Sequence, residues 1–246
     1  MTEASIWGAA PMPPVPLIAG AVHVWRASTD VDAARLVDYE SMLDEDERVR
    51  SARFRRTELA GAFIAGRGIA REILGRYLGV GPAALRFQRP GLGKPALAPP
   101  HEMLHFNTSN SGGTILVAVT AGRRVGVDLE AVRPVPRALA VAERLFSQYE
   151  QDTLRGLSAQ AREIAFLECW TRKEAFIKAL GGGVWTGFDA FEVTCGPGEP
   201  AALRAIGGSA AEAARWTLRS LYPGAGYLGA VVVEGPLVEM ETFAFV

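Results

Sequence analysis

The sequence predicts an α+β fold built as two similar halves related by pseudo-twofold symmetry, with a site in the cleft between them. Three observations predict it. First, Val22–Trp25 and Val125–Glu130 read as strands, and each is followed by long helical stretches that stop at glycine. Second, the chain repeats itself faintly. A shift of 103 residues lays Val22 and Val24 on Val125 and Val127, Ala62-Phe63-Ile64 on Ala165-Phe166-Leu167, and Gly79 on Gly182. A shift of 113 lays Val117–Val119 on Ala230–Val232. Third, 246 residues at 49% hydrophobic content can bury one large core or two small ones. The expected divisions are a flexible Pro/Ala-rich lead-in over residues 1–20, a first half over 21–122 and a second half over 123–246.

The elements follow in order. Val22-His23-Val24-Trp25 alternates as a strand, with His23 on one face of it and no other metal-type residue beside it. Asp44-Glu45-Asp46-Glu47 opens a helix with acids in its first turn, where the helix dipole favours them. That helix is expected to continue through Arg48, Arg50, Arg53, Arg55 and Arg56, either as a solvated face or as a local phosphate-binding patch. Ala62–Leu78 has helical periodicity, with Gly79 as its stop. A short strand is expected near Leu85–Gln88, and Arg89–Pro95 is a turn by composition. Leu104 onward runs from a strand into a polar turn over Ser109–Gly112, and Thr114–Thr120 returns as a strand. Arg137–Phe146 and Ser147–Leu157 read as helices leading to a long helix that ends at Gly181-Gly182-Gly183. Phe188–Thr194, Ala214–Leu221 and Tyr227–Val233 read as strands, and the segment through Val246 carries no readable motif.

Composition excludes some functions. A net charge of −1 provides no global basic field for nucleic acid. No apolar run is long enough to span a membrane, and the lead-in lacks a basic start and is broken by prolines, so a cytoplasmic protein is expected. Two cysteines, Cys169 and Cys195, make no framework, and Cys169 reads as a small buried hydrophobe.

Two stretches carry chemistry. In Val125–Glu130 the apolar residues face a core, so Asp128 and Glu130 share the other face with their Cα atoms roughly 6.6 Å apart. Carboxylates alone suit a hard cation such as Mg²⁺. In the long helix, Trp170, Glu174 and Lys178 are spaced by four and share a face, with Lys173 beside them. Taken singly, these are a polar strand end and an ordinary Glu–Lys pair. Together, three carboxylates and two lysines are what metal-assisted transfer on a phosphate ester requires.

Gly126-Val127-Asp128-Leu129-Glu130, followed by Trp170-Thr171-Arg172-Lys173-Glu174-Ala175-Phe176-Ile177-Lys178, resembles the paired signature of the 4'-phosphopantetheinyl transferases. The chain length resembles the monomeric, two-half surfactin-type branch. The resemblance implies Mg²⁺-dependent transfer of 4'-phosphopantetheine from coenzyme A to a serine of an acyl or peptidyl carrier protein, releasing adenosine 3',5'-bisphosphate. It implies that Asp128, Glu130 and Glu174 hold Mg²⁺, that Glu174 or a water takes the serine proton, and that Lys173 and Lys178 meet the phosphates. Arg50 stands four before Phe54, and Lys94 stands in Gly93-Lys94-Pro95; the resemblance places both on the 3'-phosphate side of the coenzyme, with Arg89 in the same loop. It also implies that Trp170 packs between the halves. Ser109-Asn110-Ser111 departs from the family's usual Ser-His-Ser. Ser109 and Asn110 are expected at the coenzyme, with Asn110 keeping a donor but never a charge. Two alternatives stay open: another metal-dependent enzyme acting on phosphate esters, and a catalytically impaired relative that binds coenzyme A as a regulator.

Overall fold

The computed structural model describes residues 7–13, 15–88, 94–181 and 187–246. After β1 (Gly8–Ala9) come β2 (Ala21–Ser28), α1 (Ala33–Met42), α2 (Glu45–Ser51) and α3 (Thr57–Leu78). A 3-10 turn (Pro82–Ala84) leads to β3 (Phe87–Gln88), β4 (Ala96–Leu97), β5 (Leu104–Ser111) and β6 (Thr114–Ala121). The pattern then starts again with β7 (Val125–Ala131), α4 (Ala138–Leu145), α5 (Gln148–Arg155) and α6 (Ala159–Leu180). A second 3-10 turn (Phe188–Ala190) is followed by β8 (Phe191–Val193), β9 (Leu203–Ile206), α7 (Ala210–Ala213), β10 (Trp216–Leu221) and β11 (Tyr227–Glu234), with β12 (Glu239–Ala244) last.

The recurrence reaches individual side chains. Asp44 and Glu47 cap α2 reciprocally, and Ser147 and Glu150 do the same for α5. Each capping glutamate then takes a cation from the long helix behind it. Arg71 reaches Glu47 Oε2 at 2.6 Å and Lys173 reaches Glu150 Oε1 at 2.7 Å. The long helices α3 and α6 have 22 residues each and end on left-handed glycines, Gly79 and Gly181.

The strands form two main sheets, ordered β1-β12-β2-β6-β5 and β10-β11-β7. Alternation in β2 and β6 sends Trp25, Val117 and Val119 toward α3, while Val22, Val24, Leu116 and Ala118 meet Val125, Val127 and Leu129 of β7. On the far side, Phe176 and Ala179 of α6 pack on Ala230 and Val232 of β11. The layers therefore run helix, sheet, sheet, helix.

Four expectations need correction. The arginine-rich helix stops at Ser51, where Arg53 and Phe54 bond back to Arg50 O and Ser51 O in a turn, so Arg53, Arg55 and Arg56 lie outside it. The polar turn is strand: β5 continues through Ser111, and Gly112-Gly113, both at positive φ, make the hairpin. The trailing segment supplies β12, which lies parallel to β2 inside the first half's sheet. Glu239 and Glu241 share a face with Phe243, and Thr242 interrupts the apolar face of Met240 and Ala244, so no strict alternation announced it. Within the expected lead-in, β1 pairs with the outer edge of β12, Val15 is buried in the first core, and Trp7 Nε1 donates to Tyr222 O at 3.0 Å. An edge strand's unpaired amides attract such a segment.

Gly126 decides how closely α6 can approach β7. A Cβ there would overlap the Ala175 carbonyl and the Ala179 amide of α6. Gly126→Ala is expected to cost on the order of 2–3 kcal/mol through overpacking against backbone. Gly81→Ala is the control, because a Cβ there meets open space at φ −62°. Thermal unfolding of both variants checks this; equal melting temperatures would contradict the close approach.

Candidate active site

The close seating of α6 on β7 brings the acids together. Residues 126, 128 and 130 of β7 alternate toward α6, while 125, 127 and 129 face the other sheet. Asp128 is buried, and its Oδ1 accepts from Lys178 Nζ at 2.6 Å and from Ser109 Oγ at 2.8 Å. Lys178 Nζ also donates to Ser109 Oγ at 2.9 Å. Asp128 Oδ2 is buried and has no partner. Glu130 accepts from Ser111 Oγ at 3.3 Å, with Arg133 3.7 Å away. Glu174 lies half-buried on α6, one turn before Lys178.

Burial raises the Glu130 and Glu174 pKa values, and the neighbouring Asp128 raises each further, against the pull of Lys178. Glu130 adds to the effect at Glu174. The three acids are therefore near enough to repel one another. Among the described residues they are not drawn into a closed cluster of three or more metal ligands. An unpartnered buried carboxylate oxygen beside two mutually repelling carboxylates nonetheless suits a small hard cation.

On the other side of Lys178 a cleft of about 540 Å³ opens between α2–α3 and β5. Arg50, Arg67, Lys94 and Lys178 bring positive charge to it, and Asn110 lines it. Arg50 is exposed, its guanidinium 5.4 Å from the centre of the Phe63 ring. Arg67 is held by Glu47. Lys94 Nζ donates to Val125 O at 2.5 Å, and burial, helped by Arg124, lowers its pKa to about 8. Concave sites of this volume hold small organic ligands, and this one is lined for anions.

The structure thus brings Asp128, Glu130, Glu174 and Lys178 to one place, with Arg50, Lys94 and Asn110 on the adjoining cleft. Ser109 belongs with the acids, bridging Asp128 and Lys178, and is absent from the cleft lining. Lys173 does not reach the site. It is fully buried, with Nζ on Glu150 Oε1 and on Phe191 O, both at 2.7 Å, and 4.2 Å from the Phe191 ring centre. One step along a helix turns a side chain by about 100°, which carries Lys173 away from the Glu174 face toward α5 and β8. Arg89 lies outside the described residues. Trp170 stacks on Phe188 and Phe166 within the second half instead of bridging the halves. Sequence reasoning missed Arg67, and it missed Asn107 and Ser111, whose spacing of two with Ser109 is a strand signal once β5 is seen to continue through them.

Known proteins match along the chain. The family model described as the 4'-phosphopantetheinyl transferase superfamily matches residues 124–232. The 4'-phosphopantetheinyl transferase HetI of Nostoc sp. strain PCC 7120 is 37% identical over 228 residues, covering 92% of this chain and 93% of that protein. A putative 4'-phosphopantetheinyl transferase of Synechocystis sp. strain PCC 6803 is 32% identical over 168 residues, 68% of each chain. The 4'-phosphopantetheinyl transferase Sfp of Bacillus subtilis strain 168 is 29% identical over 155 residues, 63% of this chain and 67% of that one.

The Lys94 ammonium sets a pH limit on anion binding in the cleft. Below about pH 8 it is charged; above, it loses its proton and its attraction for an anion. Affinity for inorganic pyrophosphate is expected to fall as pH rises through about 8, by roughly tenfold for the loss of one charge-assisted contact. Calorimetric titration across that range checks it. Lys94→Met should bind more weakly below about pH 8 and lack the part of the fall that the lysine proton causes; wild-type and Lys94→Met profiles of the same shape would contradict the assignment.

Proposed function

The chain belongs to the 4'-phosphopantetheinyl transferase superfamily, and from that premise we propose that it transfers the 4'-phosphopantetheine group of coenzyme A to a serine of an acyl or peptidyl carrier protein, releasing adenosine 3',5'-bisphosphate. One observation carries the reading: Lys178 lines the cationic cleft and is ion-paired with Asp128 of the acidic site. A single side chain therefore stands between the place suited to phosphates and the place suited to a cation.

The coenzyme brings a pyrophosphate and a 3'-phosphate. Arg50 at the exposed side of the cleft presents a planar fork of donors to the 3'-phosphate. Lys94 and Lys178 act as point charges deeper in, and Asn110 offers a neutral amide donor. Asp128, through its unpartnered Oδ2, with Glu130 and Glu174 would hold Mg²⁺. Bound there, Mg²⁺ supplies charge neutralisation at the pyrophosphate oxygens. The serine oxygen forms a bond to the β-phosphorus as the bond from that phosphorus to the bridging oxygen breaks. Glu174, one turn before Lys178 on α6, or a water beside it, would accept the serine proton. Lys178 and Lys94 then face the negative charge that grows on the departing bisphosphate.

The same reading has the protein act in the cytoplasm as a monomer, with neither nucleic acid nor a membrane as partner. No described helix is long and apolar enough to cross a membrane.

Incubating a purified apo-carrier with coenzyme A, Mg²⁺ and the protein is expected to add the mass of one phosphopantetheine at the carrier serine, read by intact-mass spectrometry. Asp128→Asn should lose at least about tenfold of that rate. Coenzyme A binding without any gain in carrier mass would favour the regulatory alternative, and coenzyme A cleavage without a carrier would favour a different phosphate-ester enzyme.

The role of Arg50 is separable from general charge. Arg50→Ala is expected to weaken coenzyme A by roughly tenfold and dephospho-coenzyme A, which lacks the 3'-phosphate, much less. Arg55→Ala, outside α2, should change neither. Equal losses on the two ligands would return Arg50 to the solvated face.

A further inference from the structure

β5 and β7 are edge strands of different sheets, and they lie against one another. An edge strand leaves a row of amides that must find partners when buried. Here β5 meets that demand with side chains. Asn107 Oδ1 accepts from Val127 N at 2.9 Å, and Ser111 Oγ accepts from Ala131 N at 3.0 Å. Val127 is the residue before Asp128, and Ala131 is the residue after Glu130. The two acids are thus bracketed by two anchors from the first half, with Ser109 bonded to Asp128 between them. The opposite face of β5 carries Phe106, Thr108 and Asn110 into the cleft.

We propose that Asn107, with Ser111 as a second anchor, is a positioning residue that sets the register between the coenzyme cleft of the first half and the acidic site of the second. The kinetic part of this rests on the transferase reading. Asn107 is buried, and Val127 is fully buried, so water does not readily replace the lost acceptor. Without it, β7 is free to shift against β5, and Asp128 and Glu130 shift with it. The pyrophosphate, held from the first half, would then stand off from the acids. Misplacement by about 1 Å lowers turnover on the order of a hundredfold when the reacting groups must align.

Asn107 also borders the cleft, so it could instead be a simple coenzyme ligand. The two roles differ in what they move. Asn107→Leu keeps the size and removes the acceptor. It is expected to lower kcat by at least about tenfold while the coenzyme A dissociation constant, measured by calorimetry, stays within about twofold. Asn107→Asp keeps an oxygen acceptor for Val127 N and should recover most of the lost kcat. Ser111→Ala, a milder change, should lower kcat by about threefold with coenzyme binding unchanged, and it carries the test if the leucine variant does not fold.

The anchor can also be read with no substrate present. The Val127 amide should be protected from hydrogen exchange in the wild type and in Asn107→Asp, and lose protection in Asn107→Leu. That outcome in a protein that transfers nothing would uphold the anchor and sink the transferase reading. Normal turnover in Asn107→Leu, a loss confined to coenzyme affinity, or an aspartate variant no better than leucine would overturn the proposal.

Discussion

Lys178 meets Asp128 Oδ1 at 2.6 Å, with Ser109 Oγ closing the triangle. Three elements from both halves converge on that contact: α6, β7 and β5. Asp128 is buried while Lys178 stays partly exposed, and a buried carboxylate is costly unless its remaining hydrogen-bonding capacity is met. Ser109 meets part of it, and Asp128 Oδ2 remains unmet. The surrounding structure preserves the arrangement. Gly126 lets α6 lie on β7, Asn107 and Ser111 hold β5 to β7, and the buried Lys173–Glu150 pair ties α6 to α5 from behind. The stored capacity is electrostatic: a buried carboxylate oxygen and two half-buried acids whose pKa values are raised by mutual proximity as well as burial.

The two halves share a plan but have divided the work. At the shift of 103 residues, Trp25 and Ala27 of β2 occupy the positions of Asp128 and Glu130. Trp25 is fully buried there and donates to Tyr77 Oη at 2.7 Å. Glu72 of α3, 102 residues before Glu174, is ion-paired with Arg35 at 2.6 Å. The first half thus contributes cleft walls through α2, α3 and β5, and the second contributes the acids. What both retain is the capping glutamate bonded to a cation of the long helix, Glu47 with Arg71 and Glu150 with Lys173. That retention identifies Lys173 as a framework residue, although it adjoins Glu174 in sequence.

Much of this was legible in the sequence where periodicity was strict. Alternation placed Asp128 and Glu130 on one face, and spacing by four joined Glu174 to Lys178. The fold class followed from strands and glycine-stopped helices recurring at one shift. Legibility failed where a residue's partner is distant in the chain. β12 pairs with β2 across more than two hundred residues, and nothing local in its composition requires it. Lys173 could not be told from a phosphate ligand without seeing Glu150 beneath it. Ser109-Asn110-Ser111 suggested a turn because polar residues favour turns, yet two of the three side chains serve β7 and its acids, and the third serves the cleft. A strand with polar residues on both faces looks like a loop until both of its neighbours are known.

The central claim is that the cleft's phosphate position and the acidic site adjoin through Lys178 and Asp128. Mn²⁺, a paramagnetic stand-in for Mg²⁺, tests it directly in ³¹P NMR of bound coenzyme A. The account predicts strong broadening of the pyrophosphate resonances, weaker broadening of the 3'-phosphate, and loss of both effects in Asp128→Asn with coenzyme still bound. Coenzyme bound with sharp pyrophosphate resonances, or broadening that survives Asp128→Asn, would contradict it.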